Sequence, residues 1–152
     1  MVVLNGHGNE DMVTGHKNEP LIIVADNEKL LKDKMVYAIS CRSAKNLGPK
    51  SVSVGAINYS GYDDDFVFLY EPANLSRPLS DTTARMFLEH SQIFVESLMK
   101  GNTVHEAVDR SKQNLKNNFV KALSENNTNA VRFLWWNLRH FVSHGNLDAK
   151  LE

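Results

Sequence analysis

Short apolar runs separated by polar stretches fill the first half of the chain, and apolar positions recur at helical spacing in the second. Val2-Val3-Leu4-Asn5 reads as a buried strand that ends in a Gly-rich corner, Gly6-His7-Gly8. Residues 9–19 are polar and are punctuated by Pro20, so they read as a loop. Leu21 to Ala25 has strand length, and Asp26 or Asn27 is placed to cap a brief helix over Glu28 to Lys32. Met35 to Ile39 is apolar throughout and reads as a second buried strand, delivering Ser40-Cys41 at its C-terminal end. Ser43 to Leu47 predicts one or two helical turns stopped by Gly48-Pro49, and Val52 to Tyr59 predicts a returning strand. An acidic loop, Asp63-Asp64-Asp65, precedes Phe66 to Tyr70.

The period changes at Asp81. Ala84, Phe87, Leu88, Ser91, Phe94, Val95 and Leu98 share one helical face, and Gly101 is a natural stop. Thr103 with Glu106 matches a capping box that opens a second helix, buried through Ala107, Val108, Leu115, Phe119 and Leu123. Asn126 to Asn129 breaks that helix. A short helix over Ala130 to Asn137 and a last strand over Leu138 to Ser143 follow. Strands alternating with helices predict an α/β fold with a mainly parallel sheet. One domain over 1–152 is expected: a strand-rich part at 1–70, a helical part at 81–125, and a closing helix and strand at 130–152.

Composition narrows the classes without naming one. The chain has 152 residues, 42% hydrophobic and 23% charged, with a formal net charge of −1. That balance supplies no field for nucleic acid or an anionic membrane, so neither is expected as a direct partner. No apolar run approaches a membrane span, and no secretory leader is evident. The lone cysteine excludes an intramolecular disulfide and fits a cytoplasmic location.

His7 and Cys41 both follow predicted strands, and the C-terminal ends of strands are where open α/β sheets bind ligands. Imidazole can generate a thiolate near neutral pH, and a strand-end loop gives a thiol access that a core position lacks. The glycines beside His7 permit close backbone approach, and the Gly8 and Cys41 amides are candidates for an oxyanion hole. Taken singly, each residue has a plainer reading: a buried small thiol and a turn histidine. His140 and His144 lie four apart, but a strand over Leu138 to Ser143 prevents a helical ligand pair, and no cofactor or metal is expected. His16 reads as a turn residue, and Trp135-Trp136 as core or interface.

An apolar strand ending in His-Gly and another ending in Cys resemble the caspase-like superfamily of cysteine peptidases. The run Ile39-Ser40-Cys41-Arg42-Ser43 departs from the caspase signature, with Ile39 in place of the Gln that helps hold a substrate aspartate. The better likeness is to the CHAT and separase branch and its gingipain-like relatives. It is carried by Asn5-Gly6-His7-Gly8, by Cys41-Arg42-Ser43-Ala44 with Leu47-Gly48, by Gly55-Ala56-Ile57 running to Asp63-Asp64-Asp65-Phe66, and by Gly145-Asn146-Leu147-Asp148. The resemblance implies a caspase-like three-layer sandwich, here a partial domain whose two preceding strands come from an upstream segment or a partner chain. It implies Cys41 as nucleophile, His7 as the group that polarises or protonates during acyl transfer, and Gly8 and Cys41 amides as oxyanion donors. It further implies Asp63, Asp64 or Asp65 as selector of a basic side chain before the cut. The expected activity is a cysteine endopeptidase acting on a protein or peptide substrate. The alternative is an inactive or truncated caspase-like module that binds a protein regulator.

Overall fold

The computed structural model describes residues 1–151. Four strands form the main sheet in the order β1 (Val2–Asn5), β4 (Met35–Ile39), β5 (Asn58–Tyr62) and β6 (Phe141–Gly145). β1 and β5 each run parallel to β4, and β6 closes one edge antiparallel to β5. A separate two-stranded hairpin, β2 (Met12–Thr14) and β3 (Pro20–Ile23), lies between the first two sheet strands in sequence. The helices are α1 (Leu47–Ser53), α2 (Thr82–Met99), α3 (Val104–Ser124) and α4 (Thr128–His140). The expected α/β class, with a mostly parallel sheet flanked by helices, is what the chain adopts. No helix among the described residues is long and apolar enough to cross a membrane.

β4 explains the layering. Its neighbours β1 and β5 bury both edges, so its unbroken apolar run can serve two faces. Successive side chains alternate across the sheet. Val36 and Ala38 join one core with Val13 and Ile22 of the hairpin, Leu31 and Leu47. Met35 and Tyr37 join the other with Phe94 and Leu98 of α2, and Val104 and Ala107 of α3. A third cluster, with Phe87, Leu115, Ala122, Ala130 and Leu134, locks α2, α3 and α4 together.

The long helices start where their caps dictate. Asp81 accepts from the Ala84 N–H at 2.8 Å, and the Thr103–Glu106 capping box forms in full. α4 begins at Thr128 with Asn127 as its cap, earlier than its apolar spacing indicates, and runs on to His140. The last strand therefore starts later than expected, at Phe141.

Three segments differ more. Gly48-Pro49 opens α1 instead of ending a helix: a proline in the first turn gives up an N–H that has no helical partner there. α1 consequently absorbs Val52 and Ser53, and the strand expected from Val52 begins at Asn58. β5 is polar yet fully buried, because Asn58 donates to Ser143 Oγ at 2.8 Å and Ser60 donates to Asn58 Oδ1 at 2.9 Å. The polar stretch 9–19 contains β2, started by an Asn9 side chain that accepts from the Asp11 and Met12 amides.

One buried base sits against the sheet. His90 of α2 is fully buried beside Tyr62, with which it hydrogen-bonds through Nε2. Burial pushes its imidazole down to about 4. The unfolded chain takes up this proton at the ordinary value of about 6.5, so between the two values it binds more protons than the folded chain. Stability supplied by neutral His90 is complete above about pH 6.5 and declines toward about pH 4, by roughly 3 kcal/mol. Urea midpoints measured over that window should fall with acid for the native chain and fall much less for His90→Gln.

Candidate active site

The parallel register sets the site. Asn5 pairs with Ile39, and the Gly6 N–H continues the ladder by donating to the Ile39 carbonyl at 3.2 Å. His7 and Cys41 thus each stand two residues beyond a paired position, at the same end of neighbouring strands. Both wall one cleft of about 540 Å³, together with Asn5, Gly6, Ile39, Ser40, Phe66, Phe68 and Leu88. His7 is exposed and Cys41 half-buried, so solvent and a ligand can reach both.

The turn after β4 is held at nearly every residue except the cysteine. Ser40 and Tyr59 both donate to Ser43 Oγ, at 2.7 and 3.0 Å. The Ala44 N–H donates to the Tyr62 carbonyl, and the Ala44 carbonyl accepts from His144 Nε2 at 2.8 Å. Arg42 adopts φ 59°, a left-handed conformation unusual for its type. Its N–H donates to the Asp64 carbonyl, and its guanidinium grips both oxygens of Asp65 at 2.8 and 2.9 Å. The Asp65 hydrogen bond and charge raise the guanidinium pKa above its ordinary value. Strain at Arg42 is thus matched by contacts that fix the backbone next to the sulfur.

Cys41 itself is lightly engaged. Among the described residues its thiol reaches only the Phe66 carbonyl, at 3.8 Å, and its N–H donates to no backbone acceptor. The Gly8 N–H likewise has none, because its antiparallel bridge to Val13 uses the amides of Asn9 and Thr14. A Cβ on Gly8 would lie 3.0 Å from the Cys41 carbonyl oxygen, the Met12 carbonyl oxygen and Ser40 Cβ. Only a glycine lets the His7 loop approach the Cys41 turn this closely.

The three acidic candidates lie beside this cleft and outside its lining. Asp65 is taken by Arg42, and Asp63 Oδ1 accepts from His140 Nδ1 at 2.8 Å. Asp64 accepts from the Asp65 N–H and stays 3.8 Å from Arg42 Nε. His16 lies on a short turn, His16–Asn18, away from the cleft lining. Trp136 donates from Nε1 to the Asp65 carbonyl at 2.9 Å, while Trp135 is half-exposed beside Phe119.

The wall opposite the cysteine was not legible as such. Phe66, Phe68 and Tyr70 follow one another at every second residue, the Phe66 and Phe68 rings stacked at 6.1 Å and the Phe68 and Tyr70 rings tilted at 6.2 Å. Buried Asn137 grips the backbone of Val67 from behind, accepting from its N–H and donating to its carbonyl. Among the described residues the Phe68 and Tyr70 amides and carbonyls have no backbone partner, so one edge of this segment is open there. Its period-two aromatics were the available signal.

Scans of family models, and searches of curated proteins and of solved structures, find no match to this chain.

Gly8→Ala should drive the new methyl against two carbonyl oxygens. A loss of about 1–3 kcal/mol is expected, read as a lower urea midpoint at unchanged slope.

Proposed function

We propose that this chain is a cysteine endopeptidase of caspase-like type, with Cys41 as nucleophile and His7 as proton carrier. The observation that supports this most is their shared cleft, reached from the C-terminal ends of adjacent parallel strands. Gly8 packs against the Cys41 turn, and the Gly8 and Cys41 amides have no backbone acceptor among the described residues, so they are the donors assigned to a developing oxyanion, where each is typically worth about 3 kcal/mol. The open edge at Phe68 and Tyr70 suits pairing with an extended peptide backbone.

In this reading the Cys41 sulfur forms a bond to a peptide carbonyl carbon, and its proton passes to His7. The tetrahedral oxygen is stabilised by the two amides. Collapse breaks the C–N bond, His7 returns the proton to the leaving amine, and a thioester remains. Water then attacks the thioester, loses a proton through His7, and releases the carboxylic product and the Cys41 thiol. No cofactor takes part.

The test is turnover of a mixed-sequence peptide library at neutral pH, read by mass spectrometry. Cleavage is expected from the native chain and a loss of at least 10³-fold from Cys41→Ser and from His7→Ala. Cleavage that survives Cys41→Ser would remove the proposal.

A further inference from the structure

Resting on the peptidase reading, we infer that the site selects a bulky apolar side chain at the residue whose carbonyl Cys41 attacks. Beyond His7 and Cys41, the cleft is lined by the large apolar side chains of Ile39, Phe66, Phe68 and Leu88 and by the uncharged Asn5, Gly6 and Ser40. No carboxylate is among its lining residues. Of the nearby acids, Asp65 is committed to Arg42 through two hydrogen bonds and Asp63 to His140, while Asp64 lies outside the lining and accepts from the Asp65 N–H. A lysine or arginine placed here would give up water without gaining a counter-charge. An apolar side chain would instead cover Phe68 and Leu88, which the free chain leaves 45% and 37% exposed.

The apolar surface also continues past the cleft. Phe68 and Leu88 line a second hollow of about 280 Å³ with Tyr70, Leu75, Pro78 and the buried Asp81, whose carboxylate is taken up by the Glu71 and Ala84 amides. The two hollows meet at Phe68 and Leu88, beside the Phe68 and Tyr70 backbone groups that have no backbone partner among the described residues. That arrangement fits an extended apolar peptide segment more closely than a basic one.

The experiment uses three peptidyl acyloxymethyl ketones that differ only in the residue next to the warhead: Phe, Arg or Asp. The rate of Cys41 adduct formation is read by intact mass. The Phe probe is expected to react about tenfold or more faster than either charged probe, the scale on which apolar pockets discriminate. Phe68→Asp and, separately, Leu88→Asp change partly exposed positions and should preserve the fold. Each should slow the Phe probe and speed the Arg probe. Faster labelling by the Arg or Asp probe of the native chain would overturn the apolar assignment while leaving the peptidase reading intact. Equal rates for all three would overturn it too. Failure of every probe at Cys41, in a chain that iodoacetamide still alkylates there, would overturn both.

Discussion

Parallel pairing of β1 with β4 is the constraint from which the site follows. Asn5 opposite Ile39 fixes the relative height of two strands, and the next residues leave the sheet together as the His7 loop and the Cys41 turn. A change of one residue in that register would reverse which face each side chain meets. Core packing forbids such a slip, because Val36 and Ala38 fill one face of β4 while Met35 and Tyr37 fill the other. The geometry at the strand ends is therefore held by hydrophobic burial several residues away from His7 and Cys41.

Around the sulfur, the fold divides the labour between rigid and free groups. Ser40, Arg42, Ser43 and Ala44 are tied to β5, to β6 and to the acidic loop, and their positions depend on all three. Cys41 and Gly8 keep their amides unspent. The acidic loop acts here as a brace: its charge neutralises Arg42 and steadies His140. The same loop then runs into the Phe66–Phe68–Tyr70 wall, whose backbone Asn137 anchors from α4. One connection thus links the Cys41 turn, the cleft wall and the helical layer.

Much of this was legible in the sequence wherever hydrophobic periodicity was strong. β1 and β4 are continuous apolar runs, and α2 and α3 carry both a clear face and a cap, so their positions follow from the residues alone. His7 and Cys41 were legible because each directly follows such a run. What periodicity could not mark was structure built from polar atoms. β5 is stabilised by Asn58 and Ser60 bonding across to Ser143, and β2 is too short to show a pattern. The resemblance assigned the acidic triplet the choice of a basic substrate side chain, and the sequence could not show which partners the fold gives these carboxylates. Arg42 and His140 are remote in sequence, and folding is what brings them to Asp65 and Asp63.

The central claim is that the imidazole of His7 and the sulfur of Cys41 work on one another's behalf across a shared cleft. Its most direct test is the rate at which iodoacetamide alkylates Cys41 in the folded chain, followed across pH in native protein and in His7→Ala. If the claim holds, the two rate–pH profiles differ in shape, with the native thiol reacting faster near neutrality. Superimposable profiles, with the fold shown intact by circular dichroism, would contradict it.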